Sequence, residues 1–98
     1  MPALSEHANV HNTMLVILKE KGYTLWYNKK TDLYFAEKDG WDFAANSPSS
    51  LLGLVAAFEY EKPSTYREYW WRKDEPELFG KLPNTPPSYV SVIRKARE

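Results

Sequence analysis

YTLWYNKKTDLYFAEKDGWDFAA, residues 23–45, decides the fold. Aromatic and apolar residues recur in three short runs, YTLWYN (23–28), LYFAEK (33–38) and WDFAA (41–45), and turn-forming residues separate them. Asp39-Gly40 carries the sharper turn signal, because a two-residue type I′ hairpin needs positive φ at both positions. Lys29-Lys30-Thr31 reads as a looser connection of three residues. The stretch predicts a three-stranded antiparallel meander.

With those two turns, pairing collects Tyr23, Leu25, Tyr27, Leu33, Phe35 and Ala44 on one face. Trp26, Tyr34, Ala36, Trp41, Phe43 and Ala45 fall on the other. Neither face alternates with polar residues as a solvated one does, so the sheet is expected to be covered on both sides or to present rings to a partner.

Upstream, residues 6–21 place Val10, Met14, Ile17 and Leu18 at the spacing of one helical face. Lys19 and Lys21 suit the C-terminal end of the dipole, and Gly22 stands where a left-handed cap is wanted, which would pack Tyr23 back on Leu18. Downstream, Ser47-Pro48 reads as a cap and first helical position, opening a helix over 48–61 with Leu51, Leu54, Val55 and Phe58 on one side. Pro63 ends it, since proline disfavours helical backbone in the residue before it. Both helices are expected on the Leu25, Leu33, Phe35 face. Thr65 and Glu68 have capping-box spacing, which predicts a short helix over 65–73. A proline-rich connection follows, and SYVSVIRKARE (88–98) reads as a C-terminal helix, with a short strand as the other reading. The fold class is α+β: one domain over 1–98, with an α-β-β-β-α unit at 6–61 and an aromatic, proline-rich segment at 62–98 packing on it. Tyr66, Tyr69 and Trp70, with Leu78, Phe79 and Leu82, are expected over the tryptophan face.

The composition excludes several functions. There is no cysteine, so disulfides, thiolate zinc sites and thiol nucleophiles are absent together, which fits a reducing, cytoplasmic setting. MPALSEHANV lacks a secretory pattern, and no run approaches the ~20 apolar residues that cross a bilayer. Thirteen basic residues balance thirteen acidic ones, without the basic excess of a nucleic-acid binder. His7 and His11 share a helical side, yet HANVH lacks the glutamate and the third ligand of a zinc enzyme. Glu37, Asp39 and Asp42 surround an exposed turn with no nucleophile and base nearby, and Ser47, Ser49 and Ser50 read as helix-opening residues rather than a phosphate cradle. No enzyme activity, metal or cofactor is expected.

Aromatics make up 15% of the chain, and two tryptophans stand side by side in YREYWWRKDE (66–75). Adjacent helical positions point about 100° apart, so the two residues divide their work. Trp70 is expected as a plug over Trp26 and Trp41, and Trp71 at the rim beside Arg67 and Arg72. Trp, Tyr and Arg dominate binding hot spots. The expected contact residues are therefore Arg67, Trp70, Trp71, Arg72, Trp26, Tyr34 and Trp41, in a small non-enzymatic protein–protein interaction module of accessory, adaptor or immunity type, monomeric or weakly dimeric. The order of elements over 6–61 resembles that of the double-stranded RNA-binding domain. That family holds phosphates with lysines opening its second helix, where this chain has Ser47, Pro48, Ser49 and Ser50, and its first hairpin loop carries a histidine where this chain has Lys29, Lys30 and Thr31. The alternative function is stacking of single-stranded nucleic acid on Trp26, Tyr34 and Trp41 with Lys29, Lys30 and Lys38 alongside.

Overall fold

A computed structural model describes residues 2–97. Helix α1 spans Ala8–Glu20, strands β1, β2 and β3 span Thr24–Asn28, Leu33–Lys38 and Trp41–Ala45, helix α2 spans Pro48–Glu61, and a short helix α3 spans Val92–Ala96. The strands form an antiparallel sheet in the order β1-β2-β3, giving the α+β architecture that the sequence predicts.

Local chemistry sets the helix ends. His7 caps α1 with its ring, Nδ1 accepting from the Asn9 N–H at 3.3 Å. At the other end Gly22 takes φ 97°, its N–H donates to the Lys19 carbonyl and the Tyr23 N–H donates to the Leu18 carbonyl. This paired bonding is a Schellman cap, and it carries Tyr23 back into the core beside Leu18. The Ser47 hydroxyl oxygen accepts from the Ser50 N–H at 3.1 Å and so caps α2. Lys62 closes that helix in a left-handed conformation, φ 52°, just before Pro63.

The β2–β3 turn is as predicted, with Asp39 at φ 53° and Gly40 at φ 86°. The β1–β2 connection differs. Asn28 pairs with Leu33, so the loop holds four residues, 29–32, not three. Asp32 enters the left-handed region at φ 57°, and its N–H returns to the Asn28 carbonyl at 2.8 Å. One extra loop residue inverts β1 relative to its neighbours, because the side-chain period of a strand is two. Leu25 stands opposite Ala36, and Ala36 opposite Phe43. Trp26 therefore leaves the Tyr34, Ala36, Trp41, Phe43, Ala45 face and joins Leu33, Phe35 and Ala44.

The helices correct a second expectation, since they cover the face of Leu25, Ala36, Phe43 and Ala45 instead of the Leu33, Phe35 face. The core is Leu18, Tyr23, Ala36, Phe43, Ala45, Leu51 and Val55, with Leu25, Tyr34, Trp41, Leu52, Phe58 and Trp70 packed against it. Ala36 and Ala45 explain the choice of face: their short side chains let α2 approach and drop Leu51 and Val55 onto the sheet, whereas the Trp26–Phe35 rings would hold a helix off. Leu54, expected on the buried stripe, is exposed, and Leu52 packs instead.

No helix forms over 65–73. The chain makes a single turn there, the Trp70 N–H donating to the Arg67 carbonyl at 3.1 Å, and Tyr69 has φ 60°. A left-handed residue interrupts any helix, and so short a helix has little stability of its own to resist the pull of Trp70 into the core. The chain divides into two compact units, one of residues 6–71 and the other of residues 2–5 with 72–97. The second holds α3, capped by Ser91, and contains no buried residue among those described.

Candidate functional site

Rings occupy both sides of the sheet, and the two sides differ in kind. On the helix-covered side Trp41 lies 5.1 Å from Phe58 and 5.6 Å from Trp70, whose ring stands across it at 80°. Trp70 also meets Phe58 edge-on at 6.0 Å. Trp70 is thus a half-buried wedge over Trp41 and Phe58, and it has no stacking relation to Trp26, which the register places on the other side. Tyr34 shares the covered side, tilted against Tyr27 at 4.8 Å.

The other side is built in rows: Thr24, Glu37 and Asp42, then Trp26, Phe35 and Ala44, then Asn28 and Leu33. Trp26 and Phe35 are stacked, their ring planes parallel to within 1° and their centroids 5.1 Å apart. Phe35 is half-buried, while Trp26, on the edge strand, remains 45% exposed. No helix of the 6–71 unit packs on this side, since α1 and α2 are used up on the core face.

The remaining expected contact residues are dispersed. Trp71 is 53% exposed and meets Tyr69 edge-on at 6.1 Å, so it does not lie one helical turn from Arg67. Arg67 is exposed and uses its carbonyl to close the turn onto Trp70. Arg72 begins the second unit. The Lys38 ammonium turns inward, donating to the Lys21 carbonyl at 2.8 Å and lying 5.4 Å from the centre of the Tyr23 ring. The rings and lysines of a nucleic-acid stacking platform therefore do not assemble: Tyr34, Trp41 and Lys38 are on the covered side and Trp26 on the other.

Of the shallow clefts within the 6–71 unit, two are lined by Trp41. One, of about 400 Å³, has Tyr23, Lys38, Trp41, Phe58, Glu59 and Lys62 in its walls. Here Lys21 and Glu59 form an ion pair at 2.8 Å; the Lys21 hydrogen bond holds the Glu59 carboxyl below its ordinary range against the opposing effect of burial. Tyr23 is pushed up to about 12, first by burial and then by the charge of Glu59 and the hydrogen bond to it. The other cleft, of about 440 Å³, lies between the β2–β3 turn and residues 64–70 beside the outer edge of β3; Asp39, Trp41, Tyr66 and Trp70 line it together with Asp42, whose side chain the register directs to the helix-free side.

Two residues of the candidate site escape sequence reasoning. Phe35 is assigned to the helix-covered face by the three-residue loop, and Tyr66 to the core by the helix that does not form. The signal for the first was present in Asn28 and Asp32, residue types suited to a side-chain-bonded turn and to a left-handed position. Among the described residues no group of three or more His, Cys, Asp or Glu is arranged to hold a metal ion. Among the described residues no helix is long and apolar enough to cross a membrane.

The fold and site thus define a small α+β unit of α-β-β-β-α order with both helices on one side of the sheet and an aromatic stack on the other. Compared with known proteins, the chain matches no family model, no curated protein and no solved structure.

Proposed function

We propose that the chain is a non-enzymatic module that binds another protein through the helix-free side of its sheet, within a reducing compartment such as the cytoplasm. The observation that carries this reading is the exposed Trp26–Phe35 stack. A tryptophan that served only the core would turn inward, whereas this one is held flat by a neighbouring ring with part of its surface in solvent. Preorganised aromatic surface of this kind gives contact area at low entropic cost. The row beside it carries Glu37 and Asp42 and no cation, which opposes the phosphate backbone of a nucleic acid and favours a protein surface.

The test is Trp26→Ala. Trp26 lies outside the buried core, so the variant is expected to retain the wild-type circular dichroism and to lose less than about 1.5 kcal/mol of stability. It is expected to fail to retain a protein that the wild-type chain captures in stoichiometric amount, with retention insensitive to nuclease. If Trp26→Ala retains that protein as well as wild type does, the reading fails. Capture of nucleic acid at low salt, lost as salt rises, would transfer the function to the stacking alternative.

A further inference from the structure

The cleft between the β2–β3 turn and residues 64–70 has features that the sheet face does not share. Trp41 and Trp70 form a right-angled corner, 5.6 Å between centroids at 80°, and Tyr66, 71% exposed, stands with them in the wall. Asp39 and Asp42 complete it, and no Lys, Arg or His lines the space. Neither aspartate side chain makes a hydrogen bond or ion pair with another described residue. Asp42 also stands directly opposite Glu37 across the β2–β3 ladder. Like charges at that distance repel, and Glu37 spends one oxygen on the Gly40 N–H at 2.9 Å, which leaves the Asp42 carboxylate without a counter-charge.

We propose that this cleft receives a lysine or arginine side chain of the partner protein. Several aromatic faces around one volume attract a cation through their ring quadrupoles, and carboxylates at the mouth supply the complementary full charge. Residues 6–71 as a whole carry nine Asp or Glu against seven Lys or Arg, in the same sense. A metal ion does not suit the site, because two carboxylates offer too few oxygen donors for a hard cation. The cleft volume of about 440 Å³ is ample for a long side chain and its terminal charge. The β2–β3 turn is held rigid by its type I′ geometry and the Glu37 bond, so Asp39 and Asp42 are placed before a ligand arrives. Asp42 belongs both to this cleft and to the row beside Trp26, so a partner lying on the sheet face has a cation site at the end of its apolar contact. The inference rests on the proposed protein-binding role, and its test does not depend on the outcome of Trp26→Ala.

The four indole N–H signals in a nitrogen–proton correlation spectrum provide the readout, with Trp26 and Trp71 as internal references. Titration with Nα-acetyl-arginine amide and Nα-acetyl-lysine amide, at constant ionic strength, is expected to shift Trp41 and Trp70 and leave Trp26 and Trp71 unmoved. Nα-acetyl-norleucine amide, which has no charge, is expected to shift none of them. Tyr66→Ala and Asp42→Asn, both exposed and outside the core, are each expected to weaken the arginine titration about fivefold while leaving the spectrum otherwise intact. The proposal is overturned if Trp41 and Trp70 do not respond to the two cations, if norleucine amide shifts them equally, or if neither variant weakens the response. It is also overturned if tetramethylammonium shifts them and the two amino-acid amides do not, since the site would then take a free quaternary cation. Failure of Trp26→Ala to release a partner, with these shifts intact, would remove the sheet face and leave the cation site standing.

Discussion

Tyr23 concentrates the consequences of one residue. Gly22 turns the chain, and the turn drops the phenol into the core, where it touches Leu18 and meets Phe43 edge-on at 6.3 Å. The sequence showed this much, because a glycine after a helical stripe that ends in lysines has few other uses. It did not show Glu59, which arrives from α2 to accept from the phenol at 3.3 Å; thirty-six residues separate the two, and no local pattern links them. Burial and the nearby carboxylate favour the neutral phenol, so the folded chain keeps this proton to about 12 against an ordinary value of 10.0. The group contributes stability in full below pH 10, and that contribution is lost as pH rises towards 12. The loss approaches about 1.4 kcal/mol per pH unit within that window. Urea unfolding of wild type and Tyr23→Phe from pH 8 to 12 checks it: Tyr23→Phe is expected to gain on wild type only above pH 10, and parallel curves would refute the assignment. Glu59 has the opposite sign. Its lowered value adds stability above the ordinary 4.5 that is lost on acidification, by no more than about 1 kcal/mol for a pair this exposed.

Register is a property of elements, and here the sequence left one strand the wrong way round. Both β-turns were visible, and β2–β3 was paired correctly because Asp39-Gly40 admits almost one geometry. Lys29-Lys30-Thr31 constrains nothing comparable, and the controlling residues flank it. The Asn28 Oδ1 accepts from the N–H groups of Lys30 at 2.9 Å and Thr31 at 3.3 Å. Asp32 takes the left-handed position and accepts from the Tyr27 hydroxyl. Together they make the loop four residues long, which puts Trp26 beside Phe35 and away from Trp41. Half of the candidate site was therefore legible as residue types and illegible as a surface, since a parity error of one residue moves every side chain of a strand. Asn28→Ala removes both loop acceptor bonds, and the expected cost is about 1–2 kcal/mol in denaturant unfolding. Thr31→Ala, an exposed position in the same loop whose side chain makes no such bond, is expected to cost less than about 0.5 kcal/mol. Equal losses would mean that Asn28 does not pin the register.

For the molecule as a whole, the distribution of burial matters more than its total. Composition averages over the chain, and the aromatic share suggested rings throughout the core. Among the described residues every buried one lies within 6–71, while Phe79, Tyr89 and Leu82 are exposed. A fragment of residues 6–71 is therefore expected to unfold as one cooperative transition. The boundary falls after Trp71, one residue beyond Trp70, and the position is informative because Trp70 is the last of the described side chains packed against the core cluster. A unit of this size has a net stability of roughly 3–10 kcal/mol. Removing a half-buried tryptophan from Trp41 and Phe58 costs about 2–4 kcal/mol, a large share of that margin. A fragment ending at residue 62 is thus expected to show a much earlier denaturant midpoint than 6–71. Trp70→Ala in the full chain should reproduce the loss, while Trp71→Ala, with its ring at the surface, should cost under about 1 kcal/mol. If the fragment ending at 62 proves as stable as 6–71, then Trp70 does not close the core, and the right-angled corner proposed to receive a cation would lose its structural basis as well.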